Sequence, residues 1–386
     1  MAKSLVLHIG DPKTGTSSIQ EVLHHRLWDC PTVTLDYPGQ LNSFPLANAL
    51  SDPKQADQRV ARWGRLAEAL AASQADVAVV SAELFFRVDP LILLDTLNQY
   101  LPEYAANIRV IAYVRPHANR LVSAFMQRCK AGLYQGDMET FFDRTQGENL
   151  LRYAPRFQRW RDAFGDRFTL RPMIRSQLRD GDVVSDFMDF ALNNAPFTLR
   201  GAIEANPSLP LEFLAGLREV QGILKRNQVP NGTRHSVGDH VGRTLARIRP
   251  AAGTRLQISQ ALYQDIKTYC HADAEALDRD FFGQPLMMQA LEEAEHDAIP
   301  TNQDTLTRTH YSDVVILALR KKARTLVAMF KKRPSAWTMA FERDIGQRPP
   351  GDGKPLPPPI RAHIEKVNTV LTEIAELIGG HPAAKP

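Results

Sequence analysis

Several features that mark protein classes are scarce in this sequence. It has three cysteines, Cys30, Cys129 and Cys270, odd in number, far apart and in no metal-ligand spacing. That argues against a disulfide scaffold or a cysteine metal site and reads as reduced thiols in a cytosolic protein. No apolar run approaches the ~20 residues of a membrane-spanning helix. The first apolar run is too short for a signal peptide and leads straight into a glycine-bearing turn, so a cytoplasmic location is expected. The Asn231-Gly232-Thr233 sequon then carries no consequence. Charge of one sign is also scarce: a net +4 over 386 residues is too small for a nucleic-acid-binding signature, and no nucleic-acid partner is expected. There are no internal repeats. A 44% apolar and 23% charged composition instead fits a globular chain long enough for a full core and more than one domain.

The chain is organised around its first residues, Leu5–Ser18, LVLHIGDPKTGTSS. Leu5–Ile9 suits a buried strand. The chain then turns around Gly10, Pro12 and Gly15, and from Thr16 the pattern becomes helical, with Ile19, Val22 and Leu23 on one face. Strand, glycine loop and helix cradle a phosphate through converging backbone N–H groups and the helix dipole. Against the nucleotide loop G-x-x-x-x-G-K-[ST], Gly10, Gly15 and Ser17 fall in register, but Thr16 stands at the lysine position and the lysine is Lys13. Pro12-Lys13-Thr14-Gly15-Thr16-Ser17 resembles the 5′-phosphosulfate loop of sulfotransferases that use 3′-phosphoadenosine 5′-phosphosulfate (PAPS), in its P-K-[ST]-G-[ST]-[ST] form. Taken alone, the stretch also fits a glycine turn with an exposed lysine.

A second stretch adds to the first. Ile108–Val114 is a strand-length apolar run ending in Arg115-Pro116, with a helical segment to about Lys130. Arg115 would sit at the carboxyl end of its strand, where open α/β sheets bind ligands. Arg120 and Ser123, three apart, share a helix face. Two guanidiniums and a hydroxyl suit a dianionic phosphate. The group resembles the family's 3′-phosphate motif, R-x-P-x-x-R-x-x-S in its looser forms, except that Pro116 follows Arg115 without a spacer. One such arginine alone would fit a solvated helix face.

Elsewhere strands alternate with helices through the first half. Thr32–Tyr37 and Asp76–Ser81 read as strands, and Leu91–Leu101 and a segment from about Ala56 to Ala72 as helices; Leu41–Pro53 reads as loop. This order predicts a parallel sheet with right-handed crossovers. Beyond residue 131 helices dominate, apart from a late strand at Arg167–Met173 and a polar loop expected at Val229–Val241. Tyr153, Trp160 and Phe164-Gly165, the Asn206-x-Ser208-Leu209 patch and Phe281-Phe282-Gly283-x-Pro285 look like weaker landmarks of bacterial sulfotransferases of the carbohydrate type. The resemblance therefore implies a PAPS-binding domain over residues 1–290. A helical, basic extension follows over 300–386, where 14 Lys and Arg stand against 8 Asp and Glu. Six prolines between Pro349 and Pro359 read as a stiff linker. The fold expected is α/β, a P-loop-like three-layer α/β/α domain with a central parallel sheet and a helical C-terminal extension.

The resemblance also implies roles. Lys13 would stabilise charge on the bridging oxygen as the bisphosphate leaves. Pro12, Lys13, Thr14, Gly15, Thr16 and Ser17 would hold the 5′-phosphate; Arg115 and Ser123 would hold the 3′-phosphate, with Arg120 either joining them or bracing the helix. No metal is called for. Glu83, just past an apolar strand, is the first choice of general base for the acceptor, and is equally open to capping a helix or pairing with Arg87. His8 reads as a packed core residue, and His117 as a support of the second motif. Ser81 is open between a ligand contact and a strand end, and His235 and His240, on the expected loop, read as solvated residues, with contact to the acceptor as the alternative.

The acceptor is left open as a glycan, lipid or small molecule. The amphipathic basic helix over 314–332 is open to packing on the catalytic domain, to forming a homodimer, or to lying on an anionic membrane, which would place the protein at the inner membrane face. Two rival functions stand beside sulfuryl transfer. A P-loop kinase is disfavoured by the displaced lysine and by the lack of an aspartate after the strand ending at Ser81. A non-catalytic nucleotide-binding or membrane-associated protein is the other.

Overall fold

Residues 4–39, 41–201, 209–248, 253–303, 310–345 and 355–380 are described by the computed structural model. The Asn206–Ser208 landmark and most of the proline-rich linker lie outside the described residues. The chain forms two compact units. The first comprises Met1–His117, Leu150–Ala205 and Thr268–Glu292, and the second Ala118–Asn149, Asn206–Lys267 and Glu293–Pro386.

The buried apolar runs of the first unit build one sheet. Strands β1 (Ser4–His8), β3 (Leu35–Asp36), β4 (Val77–Ser81), β5 (Ile108–Val114) and β6 (Phe168–Pro172) lie parallel in the order β3-β4-β1-β5-β6. A two-residue pair, β2 (Trp28–Asp29) and β7 (Thr198–Leu199), runs antiparallel apart from it. The strand β1 is central: Leu5 faces Ala78 on one side and Ile108 on the other. Its near-continuous apolar character follows, because both faces of a parallel sheet are covered.

Alternation along these strands sends Val6, Val79, Ile111 and Tyr113 to one face. There they share a core with α1 (Thr16–His25) and α8 (Val183–Ala191), through Ile19, Val22, Leu23, Val184 and Phe187. Each such fully buried side chain contributes about 1.5–3 kcal/mol. A buried carboxylate fixes α8 in turn: Asp186 Oδ2 accepts from Tyr113 Oη and from Arg171 Nη1, both at 2.7 Å. The helices α3 (Arg59–Ala72), α4 (Pro90–Tyr100) and α7 (Ala154–Phe164) form a second group, with α4 touching both others. The stretch expected as loop after residue 41 contains α2 (Phe44–Ser51). Pro45 in its first turn and buried Leu46, Ala47 and Ala49 explain the helix.

The second unit is helical. It contains α5 from Ala118 (the helix runs His117–Lys130), α6 (Met138–Gly147), α9 (Leu211–Arg226) and α10 (Asn231–Ile248). After α11 (Gln260–Leu277) and α12 (Leu286–His296), which straddle the two units, come α13 (Asp313–Lys332), α14 (Ala336–Asp344) and α15 (Pro358–Gly380). The C-terminal helices expected as an extension share one core with α9 and α10: Leu319, Leu326, Leu371 and Ile374 meet Leu217, Leu224, Val237 and Val241. The apolar face of α13 is spent there. Its exposed side carries Val314, Leu317, Lys321, Arg324, Lys331 and Lys332.

The expected loop at Val229–Val241 is instead the start of α10. Thr233, Arg234, Ser236 and Gly238 are interior, and three residues of the stretch, Arg234, Gly238 and Asp239, serve the turn after α5. A β-carbon on Gly238 would overlap the Lys130 carbonyl oxygen. Asp239 pairs with Lys130 Nζ at 2.7 Å, and Arg234 donates to the Gly132 carbonyl. From α9, Gln221 Nε2 donates to the carbonyls of Lys130 (2.7 Å) and Arg234 (2.8 Å). His235 and His240 are therefore helical, and His240 lies edge-on to Trp337 and Phe341.

Candidate functional site

Because β4, β1 and β5 are adjacent and parallel, the segments leaving their carboxyl ends meet at one sheet edge. Gly10 opens the first of these segments. Its φ is +68°, and a β-carbon there would lie 2.7 Å from the Glu83 α-carbon. Only glycine lets the chain after β4 come this close, and the approach sets Glu83 beside the loop. Ala82 N–H donates to the His8 carbonyl at 3.1 Å, closing the same junction.

The loop is then shaped by its own side chains. Thr14 Oγ1 donates to the Asp11 carbonyl at 2.6 Å. Lys13 takes a left-handed φ of +72°, a conformation that costs a non-glycine residue about 1–2 kcal/mol. Gly15, at φ +80° and ψ 9°, is the N-cap of α1 and offers no side chain to its first-turn amides. A β-carbon on Gly15 would sit 2.5 Å from Val183 Cγ1, so the turn is held against α8. Thr16 is 3% exposed, and its hydroxyl has no hydrogen-bond partner. A buried hydroxyl in that state favours an incoming acceptor oxygen. Ser17 is exposed, while Pro12 and Lys13 are half-buried.

Arg115, one residue past β5, reaches across to the loop: its Nη1 donates to the Lys13 carbonyl at 3.2 Å. The structure thus brings Lys13, Thr14, Gly15, Thr16, Ser17, Glu83 and Arg115 to one edge of one sheet. Arg120 and Ser123 lie on α5 within the second unit, where Arg120 is buried and Ser123 half-buried. Glu83 is half-buried and begins a short 3-10 turn, Glu83–Arg87.

Ser81, left open by the sequence, and the two histidines His8 and His117 have internal partners. Gln20 Nε2 donates to Ser81 Oγ at 3.1 Å, and the same hydroxyl is hydrogen-bonded to His8 Nδ1 at 2.9 Å. Burial pushes His8 down to about 3, so it is neutral. His117 Nε2 meets Asp273 Oδ2 at 3.0 Å, and Asp273 also accepts from the Tyr153 and Ala154 amides at the start of α7, each at 3.0 Å. His117 therefore braces α7 as well as opening α5.

One residue was missed. Arg156 on α7 pairs with Asp11 at 2.8 Å, the carboxylate being 1% exposed. The signal was present: an aspartate inside a loop read as an anion cradle calls for a countercharge. The buried thiols are poor nucleophiles, since burial pushes Cys129 up to about 12 and raises Cys270 further.

Among the described residues, no group of three or more His, Cys, Asp or Glu could hold a metal ion, and no helix is long and apolar enough to cross a membrane. The sequence matches no family model, and the search of curated proteins and the search of solved structures also return no match.

Proposed function

We propose that the chain transfers a sulfuryl group from PAPS to an acceptor hydroxyl or amine, releasing 3′-phosphoadenosine 5′-phosphate. The observation that carries the reading is the loop of residues 10–17, with its unsatisfied buried Thr16 hydroxyl and with Arg115 joined to the Lys13 carbonyl. The five-stranded parallel sheet with α1/α8 as one helix group and α3/α4/α7 as another supports the P-loop-like three-layer form of the fold.

In this reading the first-turn amides of α1, with the Thr16 and Ser17 hydroxyls, hold the 5′-phosphate. Arg115 takes the 3′-phosphate, and the resemblance adds Arg120 and Ser123 to it. The bond from sulfur to the bridging oxygen breaks, and the electron pair stays on that oxygen, where Lys13 offsets the growing charge. A bond from the acceptor oxygen or nitrogen to sulfur forms, and the acceptor proton passes to the Glu83 carboxylate. A loose transition state leaves the protein mainly positioning and charge stabilisation to perform, as in phosphoryl transfer. Contact of α13 with an anionic membrane, where a lipid is acceptor, falls to its exposed Val314, Leu317 and basic residues.

The test is turnover of PAPS without added metal over a panel of glycan, lipid and phenolic acceptors. Acceptor-dependent release of the bisphosphate is expected. Consumption of Mg-ATP with PAPS untouched would move the loop to the kinase class.

A further inference from the structure

Asp11 is an awkward residue for an anion cradle. Its carboxylate is buried in the loop two residues before Lys13, where it would repel an incoming phosphosulfate. Arg156 neutralises it at 2.8 Å. The guanidinium is held firmly: it lies over the rings of Phe157, Tyr153 and Phe86, 5.0, 5.4 and 5.7 Å from their centroids. The start of α7, two residues before it, is fixed by Asp273.

The guanidinium has five N–H donors in a fixed fork. One is used on Asp11, while Nε is buried and has no hydrogen-bond partner. The side chain as a whole is 20% exposed, so the rest of the fork can meet an acceptor oxygen. Its neighbours indicate which. Phe86 belongs to the turn that begins at Glu83, and Asp11 follows Gly10, where an added β-carbon would lie 2.7 Å from the Glu83 α-carbon. The turn of the general base and the loop of the lysine both bear on this one cation.

We propose that Arg156 binds the sulfonate oxygens of the group in transit, with Asp11 holding the guanidinium in register. The inference rests on the sulfotransferase reading and adds a residue to it. A planar guanidinium suits three oxygens that keep their charge while sulfur changes partners, and it leaves Lys13 to the bridging oxygen.

Calorimetric affinities for 3′-phosphoadenosine 5′-phosphate and for PAPS, without acceptor, separate the sulfuryl contact from the rest of the nucleotide. In Arg156→Gln, bisphosphate binding should stay within about twofold of wild type, while PAPS binding weakens by about tenfold or more. Because that variant strands a buried carboxylate and can misfold, Asp11→Asn/Arg156→Gln, which removes both partners, is measured beside it with the same expectation. Equal weakening of both ligands, or PAPS binding that holds in the double variant, would overturn the role. Wild-type protein that binds neither ligand would instead sink the sulfotransferase reading and the inference with it.

Discussion

Gly10→Ala tests whether the contact between the loop and Glu83 organises the site. Two costs add. An alanine at φ +68° pays about 1–2 kcal/mol for the left-handed conformation. Its β-carbon would lie 2.7 Å from the Glu83 α-carbon, about 0.7 Å inside ordinary van der Waals contact. The obstacle is backbone, so no rotamer change relieves it, and overpacking of this kind costs about 1–3 kcal/mol more. The total is ~2–5 kcal/mol. Gly283→Ala is the control: its φ is +65°, nothing lies within 4 Å of the added carbon, and only the first cost applies. Urea unfolding of both variants gives the difference, and bisphosphate titration shows whether the loop still forms. Gly10→Ala should lose at least about 1 kcal/mol more than Gly283→Ala and bind the nucleotide more weakly. Equal stability losses with unchanged binding would refute the argument that this approach shapes the loop.

Two further outcomes follow from the site. Glu83→Gln should leave bisphosphate affinity unchanged while turnover falls by about 10²–10⁴-fold, measured at saturating acceptor; a change below threefold would remove Glu83 as base. His8 gives a pH signature. Its folded pKa, about 3, lies below its unfolded value near 6.5, so the unfolded chain binds the extra proton between these limits. Stability from this residue is intact above pH 6.5 and falls by about 1.4 kcal/mol per unit as pH drops toward 3. The difference in unfolding free energy between wild type and His8→Asn, followed from pH 7 to 4, should change with that slope; a flat difference would contradict the neutral, buried histidine.

Much of the first unit was legible because its signals are local. Leu5–Ile9 and Ile108–Val114 are apolar at strand length, and Gly10, Gly15 and the helical period after Thr16 mark a turn and a helix within a few residues of each other. What was not legible depends on distant partners. Val229–Val241 reads as loop because Gly238, Arg234 and Asp239 serve the turn around Lys130–Gly132, a hundred residues earlier in the chain. The C-terminal helices look separable only because sequence distance hides the core that Leu371 and Ile374 share with Leu217 and Leu224. Within the site, Lys13, Glu83 and Arg115 carry their chemistry in residue type and place. Arg156 does not, since α7 looks like any amphipathic helix until Asp11 is seen beside it.

The most direct measurement is calorimetric binding of 3′-phosphoadenosine 5′-phosphate in the absence of metal, with 5′-AMP and Mg-ATP as controls, on wild type and Arg115→Ala. The account predicts binding that needs the 3′-phosphate, ignores Mg²⁺ and weakens by at least about tenfold in the variant, as loss of a charge-assisted guanidinium–phosphate contact requires. Preference for Mg-ATP, or equal affinity for 5′-AMP and the bisphosphate, would contradict it.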